Sequence, residues 1–446
     1  MPETDLQNKL AARYREHVKT MRKRAESALE GSEYAQLVIC SGMQHTQFLD
    51  DMPYPFKANP HFKAWLPVTE VPNCWLVIRP GERPVLYFHQ PRDYWHCVPV
   101  VPDDFWTAEF EVVTFAELDE IRDRLPVGTG VAVLGEPCLL PRLWDAEHIN
   151  PAQLLAYLHF HRAAKTGYEI ECLRQANRIA VRGHRAALDA FLGGGSEFDI
   201  HNAFCRTAGV VDTALQYGAI VALNQHSATL HYGAAERSLP RQRLSFLIDA
   251  GVAFNGYASD ITRTWGAGDA LFEALVQGVD TLQQRLAAKV FPGQDYVALH
   301  LQAHREVAAL LHELEVIKID EEESVINGIT GTFLPHGLGH LLGIQVHDIG
   351  GHQVDVDGTE LAPPKGHPYL RLTRTLEEGF VVTIEPGIYF VDSLLDKLRA
   401  GEHSRHINWS RVEQLRPFGG VRIEDDVLAT ATGPVNLTRE AFAELE

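Results

Sequence analysis

The chain has 446 residues, of which 45% are hydrophobic and 22% charged, a composition that excludes a disordered or fibrous protein. It carries 40 Lys and Arg against 59 Asp and Glu, a formal net charge of −19. So acidic a surface repels phosphate backbones and anionic lipid, so we expect neither a nucleic-acid nor a membrane partner. No apolar run reaches the ~18 residues of a membrane span, and residues 1–31 lack a signal-peptide pattern. We expect a cytoplasmic protein.

The first part of the chain alternates between helical and strand-like patterns. An amphipathic helix is predicted over residues 1–35, and the apolar runs at 36–40, 74–79, 85–88 and 130–135 predict strands. A long helical pattern opens near residue 163. We therefore predict a mixed α/β N-terminal domain over residues 1–163.

The remainder, residues 164–446, predicts one larger α+β domain. Helices are expected up to about residue 208 and over 270–316. Strands are expected at 218–224, 244–265, 380–390 and 420–430. The fold class is therefore α+β, with the smaller α/β domain first.

Six cysteines, at positions 40, 74, 97, 138, 172 and 205, show no zinc-ribbon or redox-pair spacing. A chain of this length buries a core without disulfide staples. We expect all six to be buried free thiols.

Four acidic residues of the second half stand in otherwise apolar strands: Asp249, Asp260, Glu385 and Glu424. A buried carboxylate loses several kcal/mol of hydration unless it is protonated, paired or bound to a cation. An ion pair or a structural hydrogen bond explains any one of them about as well as a metal does. Four in one domain, with few basic residues in the same strands, favour a metal site.

The segment 335–352 supplies a second type of metal ligand. It contains His336, His340, His347 and His352, with glycines interleaved. A lone histidine is usually a satisfied core residue. The glycines argue against a helix here and favour a close approach of the backbone to something bound.

The ligand chemistry narrows the choice of ion. Four carboxylates and one imidazole form an oxygen-dominated set, which suits Mn²⁺ or another hard divalent ion better than a thiolate-selected Zn²⁺. One divalent ion would leave a net interior charge near −2, so the charges favour two ions. Two metals ~3.5–4 Å apart lower the pKa of a shared water and hold a carbonyl oxygen, as in metal-assisted hydrolysis.

The motifs HGLGHLLGIQVHD, TIEPGIYF and GGVRIEDD, following two aspartates, resemble those of the pita-bread metallopeptidases. The resemblance implies a creatinase/aminopeptidase-type catalytic domain. It also implies a dinuclear metal set made of Asp249, Asp260, His340, Glu385 and Glu424. In that set Asp249 chelates one Mn²⁺, His340 and Glu385 chelate the other, and Asp260 and Glu424 bridge the two. Other divalent ions such as Co²⁺ are expected to substitute.

Three N-terminal stretches, 48–52, 54–65 and 91–96, resemble the bacterial Xaa-Pro dipeptidase (prolidase) branch, which includes organophosphorus acid anhydrolases. That resemblance implies hydrolysis of Xaa-Pro dipeptides by a hydroxide between two Mn²⁺ ions, with organophosphate triesters as a side substrate. It also implies a homodimer in which Asp51 enters the partner's site.

The same resemblance implies roles for further residues. Glu385 relays the proton, and His347 stabilises the oxyanion. His336 and Arg371 receive the C-terminal carboxylate of the substrate. The remaining substrate-pocket positions are Arg422, Tyr217, Leu230 and His231.

Two alternatives stay open from the sequence. An Xaa-Pro aminopeptidase acting on longer peptides shares all five metal ligands, so the ligands do not discriminate it from a dipeptidase. A non-catalytic peptide-binding module on the same fold would lack at least one ligand, and all five are present.

Overall fold

The computed structural model describes residues 3–136 and 148–445. Contacts divide the chain into two compact units. The first comprises Met1–Cys172 with the short pieces Asn255–Tyr257 and Val354–Thr359, and the second comprises the rest. The domain boundary at residue 163 stays a prediction. Within the described ranges, no helix combines the length and apolar character that a membrane span requires.

The first unit is built on a five-stranded mixed sheet in the order β4-β3-β2-β1-β5. The outer pairs are parallel and the inner pairs antiparallel. Valines from three strands pack with Ile121 of the third helix into its core. Its elements are α1 (Glu3–Glu30), β1 (Gln36–Cys40), α2 (Pro60–Lys63), β2 (Trp75–Ile78), β3 (Val85–His89), β4 (Glu111–Phe115), α3 (Leu118–Arg122), β5 (Val131–Leu134) and α4 (Ala152–Arg162).

The predicted first helix and first strand are present. Leu10, Tyr14 and Val18 of α1 are buried, as the four-residue spacing requires. Strand β4, Glu111–Phe115, lacks the continuous apolar run of its neighbours and was not predicted, because it lies at the edge of the sheet with only one residue fully buried.

The chain from Gly167 onward forms small antiparallel sheets flanked by helices. The strand orders are β10-β7-β6, β11-β14-β15, β12-β13 and β8-β9. The elements are α5 (Gly167–Leu192), α6 (Glu197–Ala208), β6 (Ile220–Leu223), β7 (Ser245–Asp249), β8 (Ala253–Phe254), β9 (Tyr257–Ala258), β10 (Thr262–Gly266), α7 (Ala270–Ala287), α8 (Tyr296–Glu313), α9 (Glu321–Ile326), α10 (Thr330–Phe333), β11 (Val381–Ile384), β12 (Gly387–Tyr389), α11 (Asp392–Ala400), α12 (Trp409–Leu415), β13 (Gly420–Arg422), β14 (Asp425–Leu428), β15 (Val435–Asn436) and α13 (Leu437–Ala443).

One predicted helix and three predicted strands are interrupted in the structure. The helix expected over 270–316 is two helices, α7 and α8, because Pro292 and Gly293 stand between them and Gly293 takes φ 92°. The strands expected over 244–265, 380–390 and 420–430 each break into two or more pieces. These strand breaks fall next to the predicted metal ligands.

The expectation of six buried thiols is wrong at one position. Cys40, Cys74, Cys172 and Cys205 are buried and free, but Cys97 is exposed. Cys97 lies in an irregular, proline-containing stretch after β3, where no sheet or helix covers it. Cys138 lies outside the described residues.

His184 lies fully buried on α5, where its Nε2–H donates to the carbonyl of Ala250 next to the last residue of β7. Its ring stands edge-on to Phe204. Burial lowers the pKa of His184 to about 4. The folded protein therefore keeps this imidazole neutral at a pH at which an unfolded chain protonates it.

We predict that His184 makes the fold sensitive to acid. Because its pKa in the folded state lies below the ~6.5 of an unfolded chain, stability is lost as the pH falls from about 6.5 towards 4. Between pH 7 and pH 5, the wild-type protein should lose about 2 kcal/mol more unfolding free energy than His184→Phe, measured by urea denaturation. The exposed-site control His312→Phe should behave as wild type. Equal losses of unfolding free energy in all three proteins would contradict the role of His184 in acid sensitivity.

Candidate metal centre

The first pair of predicted ligands comes from neighbouring strands. Asp249 is the last residue of β7, where it pairs with Thr262 of β10. Asp260 lies in the gap between β9 and β10, where no regular pairing holds the backbone. A break in a strand re-aims the side chain at that point, which lets an acid turn away from the alternating pattern of the sheet.

Glu424 is joined to the first pair by an isolated bridge between two sheets. The backbone N–H of Glu424 donates to the carbonyl of Thr262 at 3.1 Å. The Thr262 hydroxyl donates to Glu424 Oε2 at 2.6 Å. Glu424 itself stands in the gap between β13 and β14. Thr262 therefore orients a carboxylate that lies 162 residues further along the chain.

Residues 338–342 run beside β11 and carry His340 to the same place. The N–H of Thr383 donates to the carbonyl of His340 at 3.0 Å, and the N–H of Glu385 donates to that of Leu338 at 2.9 Å. Glu385 follows β11 directly, in the gap before β12. The antiparallel alignment sets the two predicted ligands side by side.

A glycine permits this alignment. A Cβ atom at Gly339 would lie 2.1 Å from the carbonyl oxygen of Thr383 and 2.5 Å from the hydroxyl of Tyr296. Neither atom is at the free end of a flexible side chain, so the segment could not lie this close to β11 with a larger residue. The close approach at Gly339 is to β11 of the same chain, whereas the sequence indicated an approach to something bound, which stays a prediction.

The tautomer of His340 leaves one nitrogen free for a ligand. Its Nδ1–H donates to the carbonyl of Leu341 at 3.0 Å, so in the neutral ring, the form that binds a metal, Nε2 carries the lone pair. Nε2 faces Asp260 Oδ2 at 3.5 Å and Glu385 Oε1 at 3.7 Å. Asp260, His340 and Glu424 each offer a ligand atom within 4.8 Å of the others.

The predicted ligands share one cavity of about 860 Å³. Among the residues that line it are all five of them, together with His336, His347, Leu230, His231, Arg371 and Arg422. Tyr217 does not line it, but the charges of Asp249, Asp260 and Glu424, after burial, raise the pKa of its hydroxyl well above the usual range. Asp51 is exposed in a loop of the first unit and is not among the lining residues.

The carboxylates of the cavity repel one another. Burial, together with Asp260 and Glu385, raises the pKa of Glu424 well above its usual value. Burial likewise raises the pKa of Asp260, and that of Glu385 to about 7. For His340, burial lowers the pKa, but the hydrogen bond with Asp260 and the charge of Glu385 raise it further than burial lowers it. Burial is the first cause of each carboxylate shift, and the charges of neighbouring acids add to it.

One arginine partly compensates these acids. Arg422 Nη2 donates to Asp249 Oδ2 at 2.6 Å. The other oxygen, Asp249 Oδ1, has no hydrogen-bond partner among the described residues although it is buried. Asp425 shows the contrast, because Arg263 and Arg439 pair with its two oxygens and hold its pKa below the usual value despite burial.

This donor set fits divalent cations. It offers carboxylate oxygens in excess over basic partners, one orphaned buried oxygen, and one imidazole nitrogen whose ring is held by a hydrogen bond at the other nitrogen. The ring of His347 stands perpendicular to that of His340, with their centroids 4.4 Å apart. Burial and the charge of His340 lower the pKa of His347, which keeps it neutral near pH 7.

Sequence reasoning assigned no role to Thr262 and Tyr389. Tyr389 accepts a hydrogen bond from Arg422 Nη1 at 2.9 Å and donates to His336 Nε2 at 2.8 Å, since Nδ1 of that ring donates to Gly337. Tyr389 lies within the motif TIEPGIYF, and Thr262 stands two residues after Asp260, so both are close to a ligand in sequence. This proximity to a ligand could have pointed to both residues. It does not show, however, which partner their hydroxyl groups contact in the folded chain.

Comparisons with known proteins bear on the whole chain. The family model described as Xaa-Pro dipeptidase, N-terminal domain, matches residues 12–160, and the model of metallopeptidase family M24 matches residues 171–431. The chain is 47% identical over 440 residues to a protein named Xaa-Pro dipeptidase from Stenotrophomonas maltophilia (strain R551-3), covering 98% of this chain and 99% of that one. An Xaa-Pro dipeptidase of Aeromonas hydrophila is 47% identical over 431 residues, covering 96% and 98%.

Solved structures agree on the fold. Aminopeptidase P from E. coli in its low-pH form superposes with a TM-score of 0.72 at 22% identity, covering 95% of both chains. Proline aminopeptidase P II from Yersinia pestis gives a TM-score of 0.70 at 22% identity, covering 97% of this chain and 96% of that one. At this identity the likeness shows the fold alone.

These matches define the class of protein as a metal-dependent hydrolase of the pita-bread fold. The chain belongs to metallopeptidase family M24 and, within it, to the group of the bacterial Xaa-Pro dipeptidases. The predicted α+β fold class, enzyme class and family resemblance are thereby confirmed. The roles of individual site residues stay predictions.

We predict that Gly339→Ala destabilises the protein, because the added methyl group would overlap the Thr383 carbonyl. Overpacking of this kind costs about 1–3 kcal/mol, which urea denaturation measures. Gly331→Ala is the matched control, since a Cβ there meets nothing within 4 Å. Equal stability of the two variants would contradict the argument that the close approach requires glycine.

Proposed function

We propose that this protein hydrolyses Xaa-Pro dipeptides at a centre holding two divalent cations, with Mn²⁺ as the metal. The observation that carries the proposal is the excess of buried carboxylates in one cavity with a single arginine partner. The relatives named Xaa-Pro dipeptidase cover nearly the whole chain at 47% identity and support the substrate class.

Each ligand has a proposed place. Asp249 would hold one cation, His340 and Glu385 the other, and Asp260 and Glu424 would lie between the two. A pair of divalent cations supplies a water of lowered pKa and polarises the scissile carbonyl. Oxygen-rich ligands favour Mn²⁺, and Co²⁺ is expected to substitute.

The protein's own groups move and hold protons. Glu385, a buried carboxyl of this cavity, would accept a proton from water and later donate it to the leaving nitrogen. His347, with its pKa lowered, donates a hydrogen bond from a neutral ring towards the carbonyl oxygen as negative charge develops there. Arg422 holds Asp249 through a 2.6 Å hydrogen bond and Tyr389 through one of 2.9 Å, so it would act as a positioning residue.

Recognition of a dipeptide requires a group for its C-terminal carboxylate. Arg371 lines the cavity, its side chain is exposed, and among the described residues none forms an ion pair with it. His336 lies in the same cavity, with its ring fixed by Gly337 and Tyr389. Proline lacks an N–H and has a fixed φ, so a pocket that reads the ring and the terminal carboxylate separates this substrate from ordinary peptides.

The remaining predictions are part of the same proposal. Leu230, His231 and Tyr217 would shape the pocket. Organophosphate triesters would be a side substrate, because the same cations stabilise an oxyanion on phosphorus. Asp51, on its exposed loop, would enter the site of the partner subunit in a homodimer.

Free proline should be released from Gly-Pro or Leu-Pro when Mn²⁺ is added. We expect Asp260→Asn to reduce this activity by more than about 100-fold, the upper limit for residues outside the ligand shell, because it removes a ligand. Glu313→Gln, an exposed change on α8, is the control and should leave turnover unchanged. Proline is measured by a colorimetric assay, and circular dichroism checks the fold.

Two results would overturn this part of the proposal. Near-normal turnover by folded Asp260→Asn would exclude its ligand role. Inactivity of the wild type on dipeptides, together with trimming of longer Xaa-Pro peptides, would replace the proposal by an aminopeptidase.

Arg371→Met should weaken binding of the substrate without changing the chemical step. Loss of one charge-assisted contact to a carboxylate corresponds to a KM increase of roughly 10- to 100-fold for Gly-Pro, with kcat nearly constant. Gly-Pro amide lacks the carboxylate, so its KM should be the same for wild type and for Arg371→Met. A KM that is unchanged for Gly-Pro would remove Arg371 from the recognition site.

A further inference from the structure

Three histidines that the proposed function does not use come together between α8 and the segment that precedes Arg371. His300 and His304 lie one turn apart on α8, where residues at i and i+4 share a face. His367 belongs to the irregular segment that precedes Arg371. We call these three residues the histidine triad. None of them lines the cavity of the candidate metal centre.

The triad is compact and buried on the helix side. His300 and His304 are each 1% exposed. The three rings stand edge-to-face, with centroids 4.6–4.7 Å apart. Each residue offers one ring nitrogen within 4.8 Å of the other two, and no acid belongs to this group.

The hydrogen bonds leave nitrogens without partners. His304 Nδ1 bonds Thr330 Oγ1 at 2.9 Å, and His300 Nε2 lies 2.9 Å from His367 Nδ1. Within the described part of the chain, His304 Nε2 and His300 Nδ1 are buried and have no hydrogen-bond partner. A buried ring nitrogen without a partner costs free energy, so two of them in one cluster call for an explanation.

Burial also keeps the rings in the form that binds metals. It is the main cause that lowers the pKa of His300 to about 2 and of His304 to about 3, and it lowers the pKa of His367 as well. Neutral imidazole is the ligand form of histidine. A hydroxyl bonded to the second nitrogen of His304 is the arrangement that usually fixes a metal-binding ring.

We propose that the histidine triad is a Zn²⁺ site, distinct from the carboxylate-rich centre. Three imidazoles and a water complete a tetrahedral zinc, whereas hard ions such as Mn²⁺ prefer oxygen. Ligand nitrogens around a tetrahedral zinc lie about 3.3 Å apart, so binding needs a movement of up to about 1.5 Å. His367 can make it, because the segment 363–369 is largely exposed.

Zinc in the triad would tie α8 to the segment that carries Arg371. Leu370, three residues beyond His367, packs against Gly337, where a Cβ would lie 2.9 Å from the Cα of Leu370. The site would thus hold that segment against the chain leading to His340. The inference does not rest on the proposed function, because the metal content of the triad can be measured without any substrate.

The test compares the metal content of full-length proteins. Four proteins are dialysed against Zn²⁺ with Mn²⁺ in large excess: wild type, His367→Ala, His367→Asn and His312→Ala. His312 is an exposed histidine on α8 and serves as the control. Mass spectrometry of the metals should find one more Zn²⁺ per chain in wild type and His312→Ala than in either His367 variant. Zinc at the carboxylate centre is common to all four and cancels in the comparison.

Thermal unfolding is the second measurement. A ligand that binds only the folded state raises the melting temperature in a concentration-dependent way. Added Zn²⁺ should therefore raise it in wild type and His312→Ala by more than in the His367 variants, while all four melt alike in a chelator. Equal zinc content in all four proteins, or equal thermal shifts, would mean that the triad is a neutral hydrogen-bonded cluster and would overturn the proposal.

Discussion

The burial of several carboxylates in one cavity is the constraint on which the candidate metal centre depends. Asp260, Glu385 and Glu424 face one cavity with raised pKa values, and the only arginine on the ligand set among the described residues pairs with Asp249. The chain does pair buried acids elsewhere, as Arg263 and Arg439 do for Asp425. Two arginines thus neutralise Asp425, whereas the acids of the centre have one arginine partner, on Asp249.

The positions of these four acids within or between strands determine how they come to face one cavity. Side chains in a regular strand alternate between two faces, so the position of an acid in its strand decides which face it meets. Here Asp260, Glu385 and Glu424 stand in gaps between short strands, and Asp249 stands at the end of one. The breaks free each carboxylate from the alternation, while the strands on either side fix the backbone. Three of the four acids therefore stand where regular strand pairing is interrupted.

Two groups of potential metal ligands, one rich in carboxylates and one of histidines alone, lie at separate places in the second unit. The carboxylate-rich cavity suits hard cations, and the histidine triad contains nitrogen alone. His340 is the one imidazole among the acids, and its ring is oriented by Leu341. The type of ligand atom alone would then decide which metal binds in the cavity and which binds at the histidine triad.

The sequence by itself determined the features that depend on residue chemistry and short-range pattern. These are the globular class, helix α1 and strand β1, the acids in apolar runs, and the motifs that resemble one family. Tertiary structure alone decided the strand breaks, the exposure of Cys97, the contact of Thr262 with Glu424, and the meeting of His300 with His367 across 67 residues. The physical reason is that periodicity reports which face of one element is buried, whereas a contact between distant residues depends on how separate elements pack.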